Sequence, residues 1–171
     1  LLFVILWRWS CAVIPGRRQV LVSACARLDR LPSWPSGWSG LRRPSSLTST
    51  GLHTPREQGV RVVPAEDCWY KSLKPLMSEV RELLGVGPVY ITFDIDGLDP
   101  AYAAGTGTPE IGGLSIHQGL EIIRGCRGLE VVGGDLVEVA PAYDTTGNTA
   151  LTAANLLFEM LCVFPGVKYR V

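Results

Sequence analysis

Two aspartates, Asp94 and Asp96, are the side chains best suited to chemistry in this sequence. They follow the apolar residues 89–91, which have the pattern of a buried strand, and a spacing of two places both carboxylates on one face. Such a pair is costly to bury unless a cation neutralises it. A Gly- and Pro-rich loop follows, as in the crevice where open α/β sheets bind ligands, so the pattern predicts a divalent metal site. Alternatively, the carboxylates only cap the loop, with Asp99 before Pro100 forming a turn.

The sequence around these aspartates is similar to a longer motif of a known family. Residues 93–100, Phe-Asp-Ile-Asp-Gly-Leu-Asp-Pro, and residues 105–110, Gly-Thr-Gly-Thr-Pro-Glu, resemble the last metal-ligand signature of the ureohydrolases, the family of arginases and agmatinases. Two departures are that Thr92 stands where a serine is common and that no proline precedes Gly105. Further blocks resemble the same family in the same order: residues 65–69, 120–126, 135–139 and 147–160. The resemblance covers about residues 59–169 and is greatest to the mitochondrial agmatinases of animals.

The resemblance also divides the chain into two parts. Two upstream ligand motifs of the family, similar to Gly-Gly-Asp-His and Asp-Ala-His-x-Asp, do not occur in this sequence. We therefore interpret residues 59–171 as the carboxyl-terminal part of a ureohydrolase domain. Residues 1–58 are an unrecognised leader rich in Arg, Ser and Pro, either a native segment or the product of a faulty gene model, and we expect it to be largely disordered.

The resemblance implies a role for several side chains. Ureohydrolases hold two Mn²⁺ ions that activate water, and by resemblance Asp94 binds both ions and Asp96 binds one. Glu138 is implied to bind the guanidinium group of the substrate through charge-assisted hydrogen bonds. Thr108 would orient Glu138 through a hydrogen bond from its hydroxyl group, without contacting the substrate itself. No residue is assigned as a catalytic acid or base.

Other acidic and histidine residues have simpler interpretations. Asp135 is expected to be structural. Neither His53 nor His117 has metal-ligand spacing to the aspartates. Three glutamates are expected to face solvent and are assigned no role: Glu121, Glu130 and Glu159.

The implied reaction is the hydrolysis of agmatine to putrescine and urea, a step of polyamine biosynthesis, by a homo-oligomeric enzyme. Because upstream ligands are missing, we expect this chain alone to have little or no activity. One alternative is a non-catalytic truncated isoform that associates with the intact enzyme. Another is a phosphatase resembling the haloacid dehalogenases, which would need a lysine and paired acids downstream; only Lys168 follows.

The zero net charge hides two opposite halves. Residues 1–56 carry eight arginines against one acid, Asp29, a net charge of +7, so the remaining residues carry −7. An arginine-rich, acid-poor beginning is typical of mitochondrial transit peptides, so we expect a mitochondrial protein. The apolar residues 1–7 are far fewer than the roughly 20 that span a bilayer. We expect neither a membrane nor a nucleic-acid partner.

The periodicity of the chain predicts the elements that position the aspartates. Predicted strands cover residues 60–63, 89–96 and 129–139, and predicted helices cover residues 65–84, 115–124 and 148–163. Pro75 should kink or divide the first helix, while Ser115 and Asn148 should cap the other two. This alternation predicts an α/β fold with a parallel sheet and helices on both faces, the three-layer arrangement that the resemblance also implies.

Overall fold

The described residues form a five-stranded sheet whose strands come from both parts of the chain. The computed structural model describes residues 10–13, 19–23 and 61–168, with side chains described from residue 63. The strands are β1 (Ser10–Val13), β2 (Gln19–Ser23), β3 (Arg61–Pro64), β4 (Pro88–Asp94) and β5 (Glu130–Val137), in the order β3-β1-β2-β4-β5. The helices are α1 (Lys74–Leu84), α2 (Ile116–Gly125) and α3 (Asn148–Cys162).

The centre of the sheet is parallel, which confirms the predicted α/β class. β4 pairs in parallel with β2 on one side and with β5 on the other, while β1 is antiparallel to both β2 and β3. The prediction of three strands was wrong, because β1 and β2 join the sheet from within the segment that we expected to be largely disordered. The rest of that segment, and its predicted boundary at residue 59, lie outside the described residues.

The first predicted helix is divided near the proline, as expected. A single 3-10 turn covers Ala65–Asp67, and α1 begins at Lys74 with Pro75 in its first turn, where a missing N–H group breaks no helical hydrogen bond. The carboxylate of Glu121 accepts hydrogen bonds from the Leu73 N–H group at 2.5 Å and from the Ser72 hydroxyl at 2.9 Å. Glu121 therefore binds the two residues that precede α1, and its assignment as a solvated residue was wrong.

The helix α2 begins and ends where the sequence predicted. The Ser115 hydroxyl accepts from the Gln118 N–H group, and the Gln118 side chain accepts from the Ser115 N–H group, which together form a capping box. At its other end, a Cβ atom on Gly125 would lie 2.6 Å from the Met77 side chain. Only glycine allows α1 and α2 to approach this closely.

The helix α3 begins at Asn148, but its cap differs from the prediction. The residue before the helix is Gly147, with φ 72°, and the carboxylate of Asp144 accepts from the N–H groups of Ala150 at 2.8 Å and Thr149 at 3.2 Å. Asn148 is therefore the first helical residue and not the cap. The N–H groups of Ala150 and Thr149 also lower the pKa of Asp144.

An ion pair joins α3 to α2. The Arg124 guanidinium donates to both carboxylate oxygens of Glu159, at 2.5 and 2.8 Å, and lowers its pKa. Glu159 is therefore not the purely solvated residue that we expected. By contrast, Glu130 is exposed at the start of β5, as predicted.

The core lies between the sheet and the helices. In β4, Ile91 and Phe93 are fully buried, and the Phe93 ring lies against Gly119 of α2. In the described residues, α2 contacts both α1 and α3. None of these helices is long and apolar enough to span a membrane.

Candidate metal centre

The two aspartates lie where β4 ends, in a buried turn. Asp94 is the last residue of β4, so this strand ends two residues before the predicted end at residue 96. Asp96 lies in the 3-10 turn Ile95–Gly97 that follows. Their exposed fractions are 5% and 2%. The Asp94 carboxylate accepts from the Asp96 N–H group at 3.0 Å. Asp94 therefore does cap the turn, as the simpler interpretation required.

Two hydroxyl groups bind the Asp96 carboxylate. Thr106 donates to Oδ1 and Thr108 donates to Oδ2, both from the Gly- and Thr-rich loop that follows. Burial raises the pKa of Asp96 to about 6; the Thr108 hydrogen bond lowers it, and the negative charge of Glu138 raises it. Asp96 is thus a buried carboxylate whose two oxygens are held in fixed directions.

The acid predicted to bind substrate lies beside this pair. Glu138 directly follows β5, and because Asp94 pairs with Val137 in the parallel register, both acids leave the same edge of the sheet. The Glu138 side chain is exposed and its φ is 66°, a left-handed conformation that is uncommon for residues other than glycine. Strained backbone of this kind is concentrated at functional sites.

The structure gives Thr108 a different partner from the predicted one. Its hydroxyl group donates to Asp96, whereas we expected it to orient Glu138. Thr106 was missed by the sequence reasoning altogether, although the alternation Gly-Thr-Gly-Thr places both threonines two residues apart, so that their side chains can reach one acceptor.

The carboxylates Asp135 and Asp99 have structural roles, as predicted. Asp135 accepts from Tyr90 at 2.9 Å and from the Thr92 hydroxyl, so it joins β5 to β4. Thr92, which stands where a serine is common in the family, therefore provides the hydroxyl group that binds Asp135. Asp99 accepts from the N–H groups of Ala101 at 2.8 Å and Gly112 at 2.7 Å, which closes the loop after the turn.

The donor set is only partly present in the described residues. Carboxylate oxygens are hard ligands that suit Mn²⁺, so Asp94 and Asp96 fit as two of its ligands. Among residues 63–168, however, no three His, Cys, Asp or Glu side chains are grouped to hold a metal ion. His117 is exposed, and His53 lies outside the described residues. Further ligands would have to come from elsewhere.

Comparison with known proteins decides the family. The sequence profile described as the Arginase family matches residues 38–162, which is more than half of the chain. This chain belongs to the arginase family. The match begins ahead of residue 59, where the sequence resemblance begins.

Several curated relatives of this arginase-family chain are very similar to it. Mitochondrial agmatinase of Gallus gallus is 76% identical over 112 residues, which are 66% of this chain and 33% of that protein. Human mitochondrial guanidino acid hydrolase is 67% identical over 125 residues, 73% of this chain and 36% of that protein. Guanidinobutyrase of Pseudomonas aeruginosa is 65% identical over 128 residues, 75% of this chain and 40% of that protein. The chain thus spans a third to two fifths of the length of these relatives.

Solved structures show the same fold. Proclavaminate amidino hydrolase from Streptomyces clavuligerus matches with a TM-score of 0.61 and 41% identity, covering 64% of this chain and 38% of that one. Arginase from Bacillus caldovelox matches with a TM-score of 0.62 and 27% identity, covering 73% of this chain and 42% of that one. The chain therefore has part of an arginase-like α/β fold.

Proposed function

We propose that this arginase-family chain is part of a manganese ureohydrolase in which Asp94 and Asp96 bind the metal. The observation that supports this most is the buried Asp94 and Asp96 pair at the end of β4, with Glu138 leaving the neighbouring strand at the same edge. Burying two carboxylates costs free energy, and a bound cation would compensate for that cost. Bound Mn²⁺ would supply activated water, since metal binding strongly lowers the pKa of water, towards about 7.

The residues around the pair have matching roles in this proposal. Glu138 binds the planar guanidinium group of the substrate, because a carboxylate accepts two parallel N–H hydrogen bonds from it. Its exposed side chain leaves it accessible to a small molecule. Thr108 acts through Asp96, whose Oδ2 atom it contacts, and so supports a ligand of the metal.

The chain alone is proposed to have little or no activity. Its described residues offer two carboxylates, which bind a first-row metal weakly without imidazole or further carboxylate partners. The non-catalytic alternative, association with an intact enzyme, remains open and would appear as co-purification of the two chains. The phosphatase alternative is replaced by the arginase-family assignment.

The substrate is proposed to be a linear guanidino compound, with two candidates. Agmatine follows from the sequence resemblance and from the name of the Gallus gallus relative. A guanidino acid such as guanidinobutyrate is the second candidate, because relatives of 65% and 67% identity are named for such acids. The two differ at the end remote from the guanidinium group, one amine and one carboxylate. A mitochondrial location is likewise proposed, from the names of the Gallus gallus and human relatives and from the arginine-rich beginning of the sequence. Homo-oligomerisation and a role of the agmatine reaction in polyamine biosynthesis are proposed from the family resemblance.

The test is a titration of the purified full chain, in the presence of Mn²⁺, with each candidate substrate. Urea released into solution is measured in the same samples. Agmatine and guanidinobutyrate are added separately while the NMR resonances of Glu138 and its neighbours are followed. We expect one of them to shift these resonances, Glu138→Gln to abolish the shift, and Glu130→Gln, an exposed control, to leave it intact. Shifts confined to other regions would refute the role of Glu138, and urea release by the chain would refute its proposed inactivity.

A further inference from the structure

Thr106 makes a contact that the roles given above do not use. Its side chain is 2% exposed and its hydroxyl group donates to Oδ1 of Asp96, while Thr108 donates to Oδ2. A carboxylate rotates easily about its last bond, because that torsion has a broad energy minimum. Two donors on the two oxygens remove this freedom, so Thr106 and Thr108 together determine where the remaining lone pairs of Asp96 point.

The backbone just before Thr106 is held by two hydrogen bonds of Gly105. The Gly105 N–H group donates to the Thr149 hydroxyl in the first turn of α3 at 2.8 Å, and the Ala140 N–H group donates to the Gly105 carbonyl at 2.8 Å. Thr106 itself pairs with Val139, just after Glu138. The residue that holds Asp96 is therefore attached to α3 and to the segment that carries Glu138.

This attachment requires close packing at the preceding glycine. A Cβ atom on Gly105 would lie 2.4 Å from Cβ and 2.9 Å from Cα of Asp144, the residue that caps α3. Because part of this contact is backbone, the loop cannot shift without displacing the start of α3. Thr106 is thus presented from a rigid support, unlike a threonine on a free loop.

We propose that Thr106 is a positioning residue that fixes the direction of the Asp96 carboxylate for metal binding. The proposal rests on the proposed function, in which Asp96 is a metal ligand. Residues that orient a ligand typically change metal affinity by about 10- to 100-fold when they are lost. Thr106 acts only through Asp96 and is not expected to contact metal or substrate.

The test compares Thr106→Val, Thr106→Ser and Thr152→Val in the full chain. Valine keeps the shape and removes the hydroxyl group, serine keeps the hydroxyl group, and Thr152 is a matched control whose hydroxyl contacts the Tyr102 carbonyl instead. Free Mn²⁺ is measured by electron paramagnetic resonance. We expect Thr106→Val to weaken Mn²⁺ binding about 10-fold or more, while Thr106→Ser and Thr152→Val bind like the unsubstituted chain.

A second measurement does not need the metal. The carboxyl-carbon NMR resonance of Asp96, recorded at one fixed pH, should move in Thr106→Val and return in Thr106→Ser. If the unsubstituted chain binds no Mn²⁺, the proposed metal function fails, and this resonance alone decides the role of Thr106. An unmoved resonance in Thr106→Val, or a Thr106→Ser chain that behaves like Thr106→Val, would overturn the proposal.

Discussion

Substituting Gly105 by alanine should disturb the candidate site and the start of α3 together. The new Cβ atom would lie 2.4 Å from Cβ of Asp144, well inside van der Waals contact, and 2.9 Å from its backbone Cα atom. Overpacking of this kind costs typically about 1–3 kcal/mol. If Asp144 moves, the N–H groups of Thr149 and Ala150 in the first turn of α3 also lose their acceptor. We therefore expect Gly105→Ala to lower the free energy of unfolding by about 1–3 kcal/mol.

The loop offers its own control for this prediction. Gly107 is two residues away, and a Cβ atom there would meet no atom within 4 Å. Urea-induced unfolding of the full chain, followed by circular dichroism, should show a much lower midpoint for Gly105→Ala than for Gly107→Ala. Equal midpoints for the two variants would refute the argument that Gly105 is required by its contact with Asp144.

Three further predictions concern acidic residues. Glu121→Ala should lower the free energy of unfolding by about 1–2 kcal/mol in a urea titration, because the Leu73 N–H group before α1 loses its charged acceptor. Glu130→Ala should change it little, and equal losses would contradict this role of Glu121. The pair of Glu159 and Arg124 lowers the pKa of Glu159, so its stabilisation is present above the unfolded pKa of about 4.3 and is lost as pH falls through the lower folded value. Glu159→Gln should therefore flatten the loss of stability on the acid side in pH-dependent urea unfolding, by no more than about 1 kcal/mol for an exposed pair, and an unchanged slope would contradict this assignment. Glu138→Gly should stabilise the chain by about 1 kcal/mol in thermal unfolding, since glycine adopts φ 66° without strain. The same substitution should abolish guanidinium binding. A destabilised variant would show that the backbone at this position is not strained.

The sequence predicted the features that depend on neighbouring residues. The apolar run before Asp94, the cap at Ser115 and the division of the first helix at Pro75 each rest on residues within a few positions of one another. Such local patterns determine backbone conformation directly. For this reason the aspartate pair was placed at the end of a buried strand before its surroundings were known.

Contacts between distant parts of the chain were not predictable in this way. Glu121 lies on what periodicity marks as a polar helix face, yet its carboxylate accepts from the N–H group of Leu73, 48 residues earlier in the chain. The cap of α3 is Asp144 and not the adjacent Asn148, because the intervening turn folds the earlier carboxylate back onto the helix. The strands β1 and β2 have four and five residues, and strands so short depend on their partners more than on their own sequence.

The candidate site combines both kinds of information. Asp94, Asp96 and Glu138 were identified from their positions at strand ends and from resemblance, and the structure brings all three to one edge of the sheet. The contact of Thr106 with Asp96 depends on a loop that returns across the end of β5. No local pattern specifies such a return, because it is determined by packing between Gly105 and Asp144.

The most direct test of the central claim is the stoichiometry and affinity of Mn²⁺ on the purified full chain, compared with Asp94→Ala and with Asp67→Ala, an exposed aspartate elsewhere. The account predicts weak binding that is lost in Asp94→Ala and kept in Asp67→Ala, without urea release. Equal binding by both variants would contradict the assignment of the buried aspartates as metal ligands. Two tightly bound ions with urea release would contradict the claim that this chain holds an incomplete site.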